Sequence, residues 1–165
     1  MKNLFLALSA LFAVSTLGSQ VRDPVACEAN PHKITYLPSF SVNPQHFPCM
    51  YSGTFEVSRK PDTSHNLFYW LHRNTTLEAA TSPLIIWIQG ELGVSASQGQ
   101  FVQHGPLQVS QKLNKTGVYQ YTVAPAEDGT TLTEIGDVLY LDQPVGTGFS
   151  YGANDTDILT NMLDI

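Results

Sequence analysis

The chain has 165 residues, 42% of them hydrophobic, which suits one ordinary domain or part of one, and its Pro and Gly are spread out rather than gathered in a low-complexity tract. The net charge of -6 comes from 8 basic and 14 acidic residues with no Lys/Arg cluster to neutralise phosphates. That argues against a nucleic-acid partner and against an anionic membrane surface.

Residues 1–18 begin with a basic Lys2, run through an apolar core from Leu4 to Leu17, and offer Thr16 and Gly18 as small residues near a cleavage site. The core is shorter than the roughly 20 residues a membrane span needs, so the segment reads as a signal peptide rather than an anchor or a buried helix. No other segment is long and apolar enough to span a bilayer. Cys27 and Cys49 follow, and in an oxidising compartment an even count favours a disulfide over two free thiols. Closing such a loop stabilises by about 3 kcal/mol in the chain-entropy model. Asn74, Asn114 and Asn154 each open an Asn-x-Thr sequon in a polar, turn-like stretch, so all three are candidate glycosylation sites.

Residues 19–50 read as an extended Pro-rich arm, because the text is rich in Pro, Asn and His without a sustained period. Residues 51–58 alternate, with Phe55 and Val57 on one face, and residues 66–72 are aromatic and apolar throughout. Joined by a turn at Lys60-Pro61-Asp62, they form a β-hairpin whose second strand is the more buried. Residues 84–88 are near-continuously apolar, as expected of a parallel strand covered on both faces. A short helix over 98–104 is stopped by Gly105-Pro106, and 107–134 reads as polar and turn-rich with an edge strand at 118–123. Val138-Leu139-Tyr140-Leu141 is a second buried strand, followed by a glycine-rich loop and a helix through Ile158, Leu159, Met162 and Leu163.

Gly148-Phe149-Ser150-Tyr151-Gly152 matches the Gly-x-Ser-x-Gly elbow pattern. Its context does not suit a nucleophile, because Pro144 and two glycines separate Ser150 from the strand and the next helix starts near Thr156. Nor does any histidine follow Ser150 to act as base. The five histidines show no metal-ligand spacing and read as surface groups, and Gly90, Gly93, Gly146 and Gly148 form no phosphate-loop or dinucleotide fingerprint. No cofactor or metal is expected.

Three blocks carry a family resemblance. Trp87-Ile88-Gln89-Gly90-Glu91-Leu92-Gly93-Val94-Ser95-Ala96 is similar to the serine carboxypeptidase motif Trp-Leu-Asn-Gly-Gly-Pro-Gly-Cys-Ser-Ser. Gly99 to Pro106 follows at the spacing of that family's Gly-x-Phe-x-Glu-x-Gly-Pro. Asp142 to Tyr151 resembles its Asp-Gln-Pro-x-Gly-x-Gly-Phe-Ser-Tyr block without a gap, and the match runs from about Ile34 onward. The resemblance implies an α/β fold in which residues 51–165 are the N-terminal part of an α/β-hydrolase sheet, an opening β-hairpin plus two further strands. It implies a secreted or lysosomal/vacuolar protein whose completed form releases C-terminal residues from peptides. The family's Ser, Asp and His lie beyond the blocks present here, so the chain by itself is expected to be inactive.

The resemblance also assigns roles within the loop. Gly90 and Glu91 correspond to the oxyanion loop, and Gln89 and Gln103 to positions that hold the substrate's C-terminal carboxylate. Glu91 replaces a glycine, so a positive φ there would cost about 1–2 kcal/mol, and its carboxylate would repel a developing oxyanion. Gln103 replaces a Glu that must be protonated to donate, whereas an amide donates at any pH, so a completed protein is expected to lose part of its acidic preference in binding. The competing reading is that Gln89, Glu91 and Gln103 are tolerated changes in a loop free of catalytic demand. From a different class, the chain would be a non-catalytic secreted binding or decoy protein on this scaffold. In either case an unaccompanied strand at 84–88 leaves an apolar edge and faces open, which calls for a partner chain over the incomplete sheet.

Overall fold

The computed structural model describes residues 27–40, 47–57, 64–77, 82–127 and 129–153. The signal segment, the turn at 60–62, Asn154 and the helix through 158–163 lie outside the described residues. The strands are β1 (Met50–Glu56), β2 (His65–His72), β3 (Leu84–Ile88), β4 (Leu107–Leu113), β5 (Tyr119–Pro125), β6 (Asp137–Leu141) and the short β7 (Tyr151–Gly152). The main sheet runs β1-β2-β6-β3, with β7 beside the start of β2. The opening hairpin and both later strands therefore stand where the apolar runs placed them.

β1 and β2 pair antiparallel from Met50↔His72 to Glu56↔Asn66, and β6 lies antiparallel to β2 through Trp70↔Tyr140. β3 and β6 are parallel, with Ile85↔Val138 and Trp87↔Tyr140 in register. Because side chains alternate across a strand, this register puts Trp70, His72, Ile85, Trp87, Val138 and Tyr140 on one face. That face holds the core: Ala96, Val138 and Tyr140 are buried, and Trp70, Ile85, Trp87 and Leu132 pack on them. The ring of Phe101 meets Trp70 edge-on at 5.5 Å between centroids.

The opposite face corrects the expectation for β3. Its alternate residues Leu84, Ile86 and Ile88 are 59%, 55% and 46% exposed, so one face is covered and the other open. A continuous apolar run states only that both faces could be buried, since burial itself depends on what lies across from each face.

A second correction concerns 107–134. Residues 107–113 form β4, which pairs antiparallel with β5 along Leu107↔Pro125 to Leu113↔Tyr119 in a separate two-stranded sheet. Leu107 alone is buried in β4, so no one-sided apolar pattern marks it. The segment read as a short helix over 98–104 is a single π-helical turn at Gly99–Gln103. Gly105 follows it because a Cβ there would collide with the backbone carbonyl of Gln100.

Cys27 and Cys49 are joined by a disulfide. Isolated bridges Lys33↔Tyr51 and Phe40↔Val123 hold the described part of the arm against β1 and β5.

Candidate active-site loop

Parallel pairing of β3 and β6 sends the loops that follow them out of the same edge of the sheet, the C-terminal edge where α/β sheets place their ligands. One of these loops is 89–98, with turn bonds from Val94 N–H to Glu91 O at 3.3 Å and from Gln98 N–H to Ser95 O at 3.0 Å. The other is 142–150, which contains a cis Gln143–Pro144 bond and glycines 146 and 148 at positive φ.

Asp142 locks the two together. It is buried at the end of β6, and its Oδ1 accepts from Ser95 Oγ at 2.7 Å and from the Ala96 N–H at 2.8 Å. Its Oδ2 accepts from the Phe149 N–H at 3.0 Å. Hydrogen bonds to a buried carboxylate contribute about 1.5–3 kcal/mol each, so one side chain fixes both loops. Gly148 completes the fit, with φ of 56° and no room for a Cβ beside the Asp142 carboxylate and Ser95. The sequence reading gave Asp142 no role. An acid directly after a buried strand and before Gln-Pro was the signal for it.

Ser150 is buried in the same staple. Its Oγ donates to Asp142 O at 2.6 Å and accepts from the Phe68 N–H at 2.8 Å. The hydroxyl joins β2 to the loop.

The residues assigned by resemblance sit as follows. Gln89, Gly90 and Glu91 form the turn directly after β3, and Gln103 closes the π-helical turn on an exposed face. Trp87 Nε1 donates to Gln89 Oε1 at 3.2 Å, and Gln89 Nε2 donates to Glu91 Oε2 at 3.0 Å. Among the described residues no hydrogen bond joins Gln103 to Gln89 or Glu91. The conditional strain at Glu91 does not arise: Ser39 is the only non-glycine residue at positive φ among those described, and in this loop Gly93 carries it, at 77°.

Beneath the loop lies a cluster of rings that the sequence reading took for surface histidines. His104 packs edge-on against Trp87 with centroids at 4.0 Å, and its Nδ1 lies 3.3 Å from the Tyr140 hydroxyl. His72 is buried, stacked on Trp70 at 6.1 Å and edge-on to Tyr140 at 5.7 Å. Burial pushes His72 down to about 3, lowers His104 in the same direction and raises Tyr140. Both ring nitrogens of His72 are without a hydrogen-bond partner among the described residues. Among those residues no group of His, Cys, Asp and Glu is arranged to hold a metal ion.

Comparison with known proteins bears on this geometry. The family model for serine carboxypeptidases matches residues 38–164. The chain is 35% identical over 127 residues to the pheromone-processing carboxypeptidase KEX1 of Candida glabrata, covering 74% of this chain and 16% of that protein. It is 32% identical over 141 residues to KEX1 of Ogataea parapolymorpha, covering 81% of this chain and 21% of the relative. With serine carboxypeptidase-like 47 of Arabidopsis thaliana the identity is 31% over 108 residues, covering 66% and 19%. The chain thus spans between 16% and 21% of the length of these curated relatives.

Proposed function

Since this chain belongs to the serine carboxypeptidase family, we propose that it forms the N-terminal section of a serine-type carboxypeptidase, which releases C-terminal residues from peptides through an acyl-serine intermediate without a cofactor. The observation that carries the reading is the Asp142 clamp, which ties the Ser95–Ala96 end of the loop after β3 to the loop after β6 at the sheet edge where substrate would arrive. Preorganised backbone donors act only if they do not have to be reoriented during reaction, and the clamp anchors the downstream end of the loop that would carry them.

In this reading the backbone at Gly90 and Glu91 faces the oxyanion, while Gln89 and Gln103 receive the substrate carboxylate. The Gln89 amide is tied to Glu91 and must exchange that bond for one to substrate. The nucleophile, acid and base are assigned to residues outside these 165. Ser150 is buried and bonded, and no histidine follows His104 in the chain. Entry into the secretory pathway, through the leader at 1–18, belongs to the same proposal.

A fluorophosphonate probe and a blocked dipeptide substrate test it. The purified chain is expected to show neither labelling nor hydrolysis. The same chain joined to the catalytic portion of a family member is expected to show both. Serine labelling of the chain alone, or a soluble chimera that stays inert, would overturn the assignment.

A further inference from the structure

Two sequons within the described residues differ in their surroundings but not in their local geometry. Asn74 Oδ1 accepts from the Thr76 N–H at 2.7 Å and from Thr76 Oγ1 at 2.8 Å. Asn114 Oδ1 accepts from the Thr116 N–H at 3.0 Å and from Thr116 Oγ1 at 2.7 Å. The pair therefore isolates one variable, access to the side-chain nitrogen.

Asn74 leaves β2 into the body of the fold and is 5% exposed. Its Nδ2 donates to Thr133 O at 2.5 Å, and its backbone N–H donates to Asp137 Oδ1 at 2.8 Å. Asp137 is in turn held by Arg73 Nε at 2.7 Å from Oδ2. This asparagine ties the end of β2 to the turn before β6. Asn114 stands in the tip that joins β4 to β5, where Lys115, Thr116, Gly117 and Val118 are exposed, and its Nδ2 donates to no group among the described residues.

We propose that Asn114 is an N-glycan acceptor of the folded chain and that Asn74 is a structural asparagine that cannot carry a glycan. The proposal rests on the reading that the chain enters the secretory pathway. The donor is an oligosaccharide on a lipid pyrophosphate. Asn114 Nδ2 attacks the anomeric carbon, the N–C bond forms, and the C–O bond to the pyrophosphate breaks. The lipid pyrophosphate leaves with the electron pair, and one Nδ2 proton passes to a base of the transferase. At Asn74 the same bond would have to lead a sugar out through packed chain, and the residue would leave its position on Thr133. At Asn114 the neighbouring residues 115–118 are exposed and leave a sugar open to solvent.

The test expresses the full chain in a eukaryotic cell, once with its own leader and once with the leader of a secreted protein. The soluble monomeric fraction is treated with a glycan-removing amidase in heavy-oxygen water, which converts each glycosylated asparagine to labelled aspartate, and the peptides are weighed. Labelled aspartate at position 114 and unconverted asparagine at 74 are expected. Thr116→Ala should remove the label at 114, and Thr76→Ala should leave the glycan count unchanged. Conversion of Asn74 in the soluble fraction, or an unconverted Asn114 in chain exported by the second leader, overturns the proposal. Conversion of Asn114 with the second leader but not with the chain's own supports the acceptor assignment and overturns the secretory reading instead.

Discussion

Replacing His72 with leucine should make the chain more stable, and most so in acid. The imidazole is fully enclosed among Trp70, Tyr140 and the strand β1, and burial pushes its pKa from an ordinary 6.5 to about 3. A base whose folded pKa is depressed binds its proton more readily when unfolded. Its neutral form is therefore compatible with folding above pH 6.5, and stability is lost as pH falls from 6.5 toward 3. At pH 4.5 the gap of two units corresponds to about 3 kcal/mol, a large part of the total stability of an ordinary domain. Leucine has similar volume and removes two ring nitrogens that find no partner among the described residues, a further gain of about 1–2 kcal/mol at neutral pH. The assay is urea unfolding at pH 7.5 and pH 4.5, followed by the fluorescence of Trp70 and Trp87, both of which pack in the cluster. His104 and the carboxylates remain in both proteins, so the difference between wild type and His72→Leu isolates the one imidazole. Parallel pH dependences for the two proteins would refute the reasoning, as would a loss of stability in the variant at both pH values.

The Asp142 clamp makes a sharper demand. Asp142→Asn keeps an acceptor for Ser95 and Ala96 but turns an amide donor toward the Phe149 N–H, and should cost about 2–4 kcal/mol in thermal or urea unfolding. Serine in place of Cys27 or Cys49 should cost about 3 kcal/mol in the same assay, since the bridge closes residues 22 apart in sequence. In a chimera carrying a catalytic portion, Glu91→Gly should raise kcat on a blocked dipeptide by about tenfold or more with little change in KM, because under the proposed oxyanion role of this turn it removes a negative charge opposed to the transition state alone. An unchanged kcat there would mean that the Gln89 amide neutralises the effect of the carboxylate.

Much of this molecule could be read from its letters. The aromatic run at 66–72 and the apolar runs at 84–88 and 138–141 became β2, β3 and β6, because short runs rich in β-branched and aromatic residues favour strands, even where one face of β3 stays open. The loop motifs around Gly90 and Asp142 identified the family, and the matching model bears that out. β4 escaped notice because six of its seven residues are exposed, so no burial imposes a period on them. The sequence reads His72 and His104 as surface groups, yet His72 is buried and His104 half-buried, since nothing in a histidine's sequence neighbourhood states which strand or ring will pack against it.

The site itself depended on contacts between distant segments. Asp142 is 46 residues from Ala96, and they meet only because β3 and β6 run parallel and release their loops at one edge. Asn74 and Asn114 carry the same sequon and the same local hydrogen bonds, and what separates them is the chain that packs around one and not the other. Composition and pattern determined the strands of the main sheet and the family. Which polar groups are buried, bonded or left open was decided by pairing across long stretches of chain, because burial belongs to the assembled sheet and not to any residue alone.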